Sequence, residues 1–314
     1  MPVNLAVVMD PISSINFKKD TTLALLLEAQ RRDWSLSYLE QKDLFVRDGV
    51  AFGNACSLQV FNDPKCWYQL GEKQSKQLDF FDVILMRKDP PFDMEYIYTT
   101  YILEFAKAEG VRVINDPQGL RDANEKLFAQ WFPQCMPTTI VTKDGSLLRQ
   151  FIKDQKEVVL KPLHSMGGGS IFHLKEGDHN INVVIEVLTQ NGLSHIMAQR
   201  FIPSITEGDK RIFMIYGKPI PYALARLPKE GEIRGNLAAG GNAKGVELTT
   251  RDYYICEQVS KKLLEKGLVF VGLDVIGEYL TEINVTSPTC VRELEPFYDI
   301  DIAKQFFDEL AISL

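Results

Sequence analysis

An alternation of strand-like and helix-like segments over the first 120 residues constrains the fold of this chain most strongly. Strand patterns fall at residues 4–10, 34–40, 81–89 and 111–116, and helical patterns at residues 20–33 and 94–110. This rhythm predicts an open, mostly parallel sheet. Because ligands bind at the carboxyl ends of strands in such sheets, we expect Asp10-Pro11 and Arg87-Lys88-Asp89 to border a site.

From about residue 121 the rhythm changes. Residues 120–132 have the pattern of a helix, and a small α+β unit with a glycine loop between two strands follows up to residue 202. A long hairpin is predicted at 210–226, turning at Gly217-Lys218. Residues 227–245 contain five glycines and no periodicity, which predicts a mobile loop. A helix at 251–267 precedes a last hairpin.

That last hairpin, GLDVIGEYLTEINVTSPT at residues 272–289, carries acids where a strand would normally hold apolar side chains. A three-residue loop at 277–279 would place Asp274 opposite Glu282, and Asn284 shares a face with Glu282. Two facing carboxylates repel each other, and a bound cation would reverse the sign of that interaction. Three hard oxygen ligands suit Mg²⁺. The alternative is that these acids lie on a solvated outer face of the hairpin. The apolar residues around Asp274 in LVFVGLDVI argue against this alternative.

Two lysines are candidate ligands for an anion. Lys161 leaves a buried strand just before three glycines in HSMGGGS, where backbone N–H groups can approach an anion closely. The spacing matches neither a P-loop nor GxGxxG, and a flexible hairpin loop is the alternative. Lys126, in LRDANEKLF, is by default a lysine on the surface of a helix.

Four arginines, Arg87, Arg211, Arg226 and Arg234, lie near predicted strand ends and loops. Arginine binds carboxylates and phosphates bidentately, so together they suggest an acidic substrate, although each alone could be a surface charge. The segment AQRFIPSITEGDKR could clamp a purine, with a backbone edge for adenine and Asp209 for a ribose hydroxyl.

Composition excludes several classes of protein. The net charge of -7 argues against a nucleic-acid binder. Five cysteines without CxxC spacing predict reduced thiols in the cytoplasm, and the four histidines form no zinc motif. We expect no signal peptide and no membrane span, because the N-terminus reads as a strand and no apolar run is long enough.

In combination, these motifs resemble the ATP-grasp ligases. More closely, MDPISSINFKKD, LMRKDPPFD, RGNLAAGG and TEINVTSPTC resemble the bacterial glutathione synthetases over nearly the whole chain. The resemblance implies an ATP-grasp fold: an N-terminal α/β unit (1–121) and two α+β units (122–202 and 203–314) that sandwich ATP. It implies ligation of γ-glutamylcysteine and glycine to glutathione through an acyl phosphate, in the cytoplasm, with Mg²⁺ (or Mn²⁺) as cofactor and a homodimer or homotetramer as assembly.

The resemblance also implies roles for individual residues. Residues 227–242 would form a lid that excludes water from the acyl phosphate. The nucleotide would contact Lys126, Lys161, Met166, Gly167, Gly168, Gly169, Ser170, Gln199, Arg200, Phe201, Ile202 and Asp209. The metal ligands would be Asp274, Glu282 and Asn284. Arg87, Ser287, Pro288 and Thr289 would face the peptide substrate, and Arg211, Arg226, Arg234 and Asn236 would act at the reacting centre.

Three alternatives remain open from the sequence. Another ATP-grasp ligase could use a different amino-acid acceptor, a regulatory protein could retain a dead nucleotide site, and a purely structural domain would leave the acidic hairpin unexplained. His164-Ser165 stands where the family commonly has Asp-Gly, so this chain departs from the family pattern at the start of the glycine loop.

Overall fold

Three β-sheets follow one another along the chain. The computed structural model describes residues 3–164, 169–229, 231–232, 235, 242–312 and 314. Within these residues the sheets contain seven, four and five strands. None of the helices in these ranges is long and apolar enough to cross a membrane.

The first sheet is built around the predicted parallel strands. Its strands are β1 (Asn4–Met9), β2 (Ser35–Leu39), β3 (Leu44–Arg47), β4 (Val50–Val60), β5 (Tyr68–Gln77), β6 (Val83–Arg87) and β7 (Arg112–Ile114), and its helices are α1 (Thr21–Arg31), α2 (Met94–Ala108) and α3 (Pro117–Asp122). The order is β3-β4-β2-β1-β6-β7, with β5 also paired to β4. The Asp20 side chain accepts the N–H of Leu23 and caps α1.

The sheet was predicted to be mostly parallel, but three of its strand pairs are antiparallel. β1, β2, β6 and β7 pair in parallel, whereas β3, β4 and β5 add an antiparallel extension beyond β2. The pattern of residues 44–77 did not predict these strands. β5 in particular is polar and exposed along nearly its whole length, so it lacks the apolar alternation by which a strand is recognised.

The second sheet has a core of its own. Its strands are β8 (Thr139–Thr142), β9 (Glu157–Pro162), β10 (Phe172–Lys175) and β11 (Ile196–Arg200), and its helices are α4 (Gly145–Gln155) and α5 (Ile181–Thr189). All pairs are antiparallel in the order β10-β9-β11-β8. Its buried cluster, which includes Leu148, Leu160 and Ile185, is separate from the clusters beneath the other two sheets.

The third sheet is antiparallel in the order β14-β13-β12-β15-β16. Its strands are β12 (Asp209–Ile215), β13 (Lys218–Leu227), β14 (Asn242–Glu247), β15 (Phe270–Ile276) and β16 (Tyr279–Asn284), and its helices are α6 (Thr250–Glu265), α7 (Val291–Tyr298) and α8 (Ile302–Ile312). The turn between β12 and β13 is Tyr216-Gly217, one residue earlier than predicted. β14 pairs with β13, so residues 242–245, predicted as loop, form a strand.

The predicted helix at 120–132 is wrong. α3 ends at Asp122, a turn follows, and a short 3-10 helix occupies Phe128–Trp131. The Asn124 side chain accepts the N–H groups of Lys126 and Leu127, which stabilises the turn instead of a continuous helix. As a result Leu127 is exposed, and Lys126, expected on the surface, is buried.

Asn115 joins the first sheet to the third. Its amide nitrogen donates to the carbonyls of Phe270 and Val285, at 2.9 and 2.7 Å. Its amide oxygen accepts the N–H groups of Val269 and Phe270, at 2.9 and 3.0 Å. The side chain is buried with four hydrogen bonds, so it fixes the end of β7 against both the start of β15 and the residue after β16.

Candidate active site

All three sheets contribute side chains to one cavity of about 710 Å³. The first sheet supplies the residues after β1 and β6, the second supplies β9 and the end of β11, and the third supplies β12, β13 and the β15–β16 hairpin. Of the strand ends predicted to border a site, Asp10, Arg87 and Asp89 line the cavity. Pro11 and Lys88 are not among its lining residues, and Lys88 pairs with Asp10 at 2.9 Å.

The acidic hairpin is confirmed in register. Asp274 pairs directly with Glu282, and both line the cavity. The geometry that gives this register differs from the predicted three-residue loop. The turn is the two residues Gly277-Glu278, and a bulge at Thr281 restores the register that the longer loop would have given.

Two arginines contact Asp274, and the pattern of the hairpin alone does not predict these contacts. The Arg211 Nε lies 2.6 Å from the Asp274 Oδ1, and the Arg226 terminal nitrogen lies 3.0 Å from Oδ2. Burial alone would raise the pKa of Asp274, but the charges of Arg211 and then Arg226 outweigh it and hold the pKa well below its usual range. The cross-strand repulsion is therefore already offset by protein side chains and does not by itself require a metal ion.

Two lysines converge on the other acid. The Nζ atoms of Lys126 and Lys161 lie 3.5 and 3.7 Å from the Glu282 Oε1. Both lysines are only 4–5% exposed. Burial lowers the pKa of Lys161, an effect that the Glu282 carboxylate partly offsets. These separations are longer than ordinary hydrogen bonds, so the two ammonium groups are held near Glu282 by charge rather than by close contact.

Asp209 shares Arg226 with Asp274. The Arg226 terminal nitrogen is 2.5 Å from the Asp209 Oδ2, whereas Oδ1 is buried without a hydrogen-bond partner among the described residues. Burial raises the pKa of Asp209 to about 7, and the Asp274 charge adds to that increase. The unpartnered oxygen points to a ligand that donates a hydrogen bond.

Arg87 is a buried cation at the cavity wall. Its guanidinium donates to the Thr22 Oγ1 at 3.1 Å and to the Pro288 carbonyl at 3.0 Å. In the described ranges no carboxylate oxygen lies within 4.0 Å of it. Burial lowers the pKa of Arg87. A guanidinium in this position is suited to a substrate carboxylate.

The segment after β16 lies along the same cavity. Ser287, Pro288 and Thr289 all line it, and the Arg211 terminal nitrogen donates to the Thr289 carbonyl at 3.1 Å. Asn284 also lines the cavity and donates to the Gly272 carbonyl at 3.1 Å.

Glu125 is a residue that the sequence reasoning missed. Its Oε1 accepts the N–H groups of Val285 and Thr286 and the Thr286 hydroxyl, at 2.9, 3.0 and 2.9 Å. It lines the cavity beside Lys126, and burial raises its pKa. Its only signal in the sequence is its position beside Lys126 in the predicted helix, where a glutamate is usually a surface charge.

The predicted purine clamp lies at the end of β11. Gln199, Arg200, Phe201 and Ile202 all line the cavity. The Arg200 and Phe201 N–H groups already donate to the carbonyls of Thr138 and Glu157. The Gln199 Nε2 and Arg200 Nε atoms are buried without a hydrogen-bond partner in the part of the chain that the structure describes.

The glycine loop HSMGGGS and the predicted lid loop at 227–242 fall largely outside the described residues. Met166, Gly167 and Gly168, and also Arg234 and Asn236, are among those not described. Gly169 and Ser170 are exposed and precede Ile171, which lines the cavity.

The donor set at the hairpin fits a hard divalent cation. It offers two facing carboxylates and one amide within the cavity. No cluster of three or more His, Cys, Asp and Glu side chains that could hold a metal occurs among the described residues. Few protein ligands are typical of Mg²⁺, which completes its coordination with water and substrate phosphates.

Comparisons with known proteins show which family the chain belongs to. Residues 3–121 match the N-terminal domain of prokaryotic glutathione synthetase, and residues 125–299 match its ATP-grasp domain. The chain is 54% identical over its full length to a glutathione synthetase from Pseudomonas aeruginosa, covering 99% of that protein. It is 56% identical over 98% of its length to a glutathione synthetase from Coxiella burnetii, covering 95% of that protein.

A solved structure supports the fold. An ATP-grasp ligase complexed with a minimal precursor, Mg and ADP superposes with a TM-score of 0.62 at 14% identity, covering 98% of this chain and 97% of that one. The chain therefore has the ATP-grasp fold and belongs to the prokaryotic glutathione synthetase family.

Proposed function

We propose that this cavity ligates γ-glutamylcysteine and glycine to glutathione. The chain is an ATP-grasp ligase. In the reaction, the γ-phosphoryl group of ATP is transferred to the cysteine carboxylate of the dipeptide and ADP is formed. The glycine amine then attacks the acyl carbon, phosphate leaves, and the amine proton passes to solvent.

One observation carries the proposal: two buried lysines from different parts of the fold meet at Glu282, beside Asp274. Phosphoryl transfer depends mainly on positioning and on neutralising negative charge. ATP phosphates would offer Lys126 and Lys161 closer partners than the Glu282 carboxylate, which lies 3.5 to 3.7 Å from their ammonium groups. Lys126 comes from the turn before the second sheet and Lys161 from β9, so a bound phosphate would contact both elements.

Asp274, Glu282 and Asn284 would hold Mg²⁺. When bound, the ion supplies positive charge at the transferring phosphoryl group. Asp274 keeps Arg211 and Arg226 as partners, and each carboxylate oxygen has lone pairs for more than one donor. Glu282 is less tightly held, so it is the acid with more freedom to change partners.

The nucleotide base would lie against the end of β11. Because the Arg200 and Phe201 N–H groups are already bonded, an adenine that reads a backbone N–H here would use Ile202. Gln199 would border the base, and the unpartnered Asp209 oxygen would accept a ribose hydroxyl. Met166 to Ser170 would close over the phosphates.

The peptide would lie between the first and third sheets. Arg87 would hold one of its carboxylates, and Ser287 to Thr289 would line its path. Arg211 and Arg226, with Arg234 and Asn236, would face the acyl phosphate. This arrangement also retains the proposed division of the chain at residues 121 and 202.

Three further properties belong to this proposal. Glycine is the expected acceptor, with another amino acid as the second candidate. The five free thiols suit a reducing cytoplasm. Self-association into a dimer or tetramer is implied by the family and is measurable by light scattering.

The test is ADP release with ATP and Mg²⁺. We expect release to require γ-glutamylcysteine and glycine together, and other amino acids to replace glycine poorly. Turnover with a different amino acid, but not glycine, would favour the second candidate, and no turnover with any acceptor would refute the proposal.

A matched pair of variants tests the site itself. Glu282→Gln should lower Mg²⁺-dependent turnover about a hundredfold or more. Glu278→Gln, the same change at an exposed turn of the same hairpin, should leave it unchanged. Unaltered far-UV circular dichroism would show that the first variant is folded.

A further inference from the structure

Part of the cavity lining comes from the loop after β1 and from the start of α7. The Arg292 side chain donates to the Phe17 carbonyl at 2.7 Å, and the Val291 N–H donates to the Thr21 Oγ1 at 3.3 Å. These contacts hold the two segments together. Lys19 from the first segment and Glu293 from the second both line the cavity there.

Glu293 carries a carboxylate that is only partly satisfied. It accepts a hydrogen bond from its own backbone N–H, but its Oε2 is buried without a partner among the described residues. Burial raises the pKa of Glu293, and the charges of Lys19, Arg211 and Arg292 oppose that increase from a distance. An unpartnered carboxylate oxygen in a cavity is costly unless a ligand supplies a donor.

Lys19 has the charge complementary to that of Glu293. In the described ranges its ammonium forms no ion pair within 4.0 Å. It is exposed where it lines the cavity. A carboxylate and an ammonium group that face one cavity without pairing match the two charges of an α-amino acid.

We propose that Glu293 and Lys19 bind the α-amino-acid end of the γ-glutamyl group, with Glu293 on its ammonium and Lys19 on its carboxylate. This inference rests on the proposed function. ATP has no ammonium group, so the candidates are the dipeptide and glycine.

The chemistry favours the dipeptide over glycine. The glycine amine must lose a proton before it can attack the acyl phosphate, and a carboxylate partner would hold it as an ammonium ion. The γ-glutamyl ammonium takes no part in the reaction, so a lasting ion pair does not slow it. A carboxylate in the first turn of α7 also favours the helix itself, and the experiment must separate the two roles.

Steady-state kinetics with two dipeptide analogues tests the proposal. N-glutarylcysteine lacks the α-ammonium, and γ-aminobutyrylcysteine lacks the α-carboxylate. For the wild-type protein, N-glutarylcysteine should show a KM roughly ten- to a hundredfold above that of γ-glutamylcysteine. Glu293→Gln should raise the KM of γ-glutamylcysteine by a similar factor, with the values for ATP and glycine unchanged.

The effects of the Glu293→Gln substitution and of the missing ammonium group on the dipeptide KM should not be additive. Glu293→Gln should cause no further loss with N-glutarylcysteine, because the group it contacts is missing. Lys19→Met should raise the dipeptide KM roughly two- to fivefold, since the residue is exposed, and should have no effect with γ-aminobutyrylcysteine. Glu257→Gln, on the exposed face of α6, is the matched control and should change nothing.

Three outcomes would overturn the inference. The first is a wild-type KM that is the same for γ-glutamylcysteine and N-glutarylcysteine. The second is an increase in KM caused by Glu293→Gln that is as large with N-glutarylcysteine as with γ-glutamylcysteine. The third is an effect of Glu293→Gln on the KM of glycine alone. The first needs no variant, so it holds even if Glu293→Gln does not fold. If the wild-type protein releases ADP only with both substrates and any of these outcomes is observed, the inference is refuted and the proposed function stands. If no mixture of substrates gives ADP release, the proposed function is refuted together with the inference.

Discussion

Replacing Glu125 by alanine should loosen the segment that lines the peptide path. The Glu125 carboxylate accepts three hydrogen bonds from Val285 and Thr286, all at 2.9 to 3.0 Å. The Glu125 backbone carbonyl accepts the N–H of Ile283 at 2.8 Å and would remain in the variant. Ser287 follows directly, so the side chain fixes the start of the substrate segment.

The expected loss of stability follows from these bonds. A hydrogen bond to a charged group contributes about 1.5–3 kcal/mol, and bonds that share one oxygen are not additive. We expect Glu125→Ala to lower the free energy of unfolding by about 3 kcal/mol. Glu125→Gln keeps an acceptor oxygen and removes a buried charge, so it should cost about 1 kcal/mol or less.

The pH dependence gives the two variants a second signature. Burial raises the pKa of Glu125 in the folded protein, so the wild type loses stability as the pH rises from the ordinary value of 4.5 through the folded pKa. Glu125→Gln has no such group, so its stability relative to the wild type should improve as the pH rises. Urea denaturation at several pH values measures this difference.

Kinetics connects this contact to function. Glu125→Ala should raise the KM of γ-glutamylcysteine more than that of ATP, because the loosened segment borders the peptide. A free energy of unfolding within about 0.5 kcal/mol of the wild type would refute the reasoning. So would a Glu125→Gln variant as unstable as the alanine variant, since charge rather than the acceptor oxygen would then be essential.

Three other substitutions test separate parts of the site. Arg87→Met should raise the dipeptide KM roughly ten- to a hundredfold, with Arg87→Lys restoring it only in part, and an unchanged KM would exclude a carboxylate contact. Asp209→Asn should raise the KM of ATP roughly tenfold but leave that of 2′-deoxy-ATP unchanged, and an equal effect on both would argue against a ribose contact. Asn115→Ala removes four hydrogen bonds to Val269, Phe270 and Val285 and should cost about 3 kcal/mol in urea denaturation, and a loss under about 1 kcal/mol would contradict its role as a link between sheets.

The acidic hairpin shows what local sequence can predict. The facing of Asp274 and Glu282 follows from the period of two along a strand, and two different turn geometries give the same register. The charges around the hairpin could not be predicted in this way. Arg211 and Lys161 come from strands far away in the sequence, and only tertiary packing brings them to these acids.

The two misjudged elements have different physical causes. β5 is polar because it is an exposed edge strand, so the apolar signal on which strand prediction depends is weak. The turn around Lys126 depends on one side-chain hydrogen-bond acceptor, Asn124, in a segment whose composition otherwise suits a helix. The burial of Glu125 and Lys126 follows from that turn, and therefore neither residue could be distinguished from a surface charge.

The site is neutralised internally before any substrate arrives. Asp274 holds two arginines at hydrogen-bond distance, whereas Glu282 holds two lysines only at 3.5 and 3.7 Å. The first arrangement is tight and the second is loose, although the two acids face each other across one hairpin. Phosphates would attract the lysines, and the Glu282 carboxylate would then be available as a ligand for Mg²⁺. Binding of nucleotide and cation would thus be mutually supportive, because each removes a charge that the other leaves unpaired.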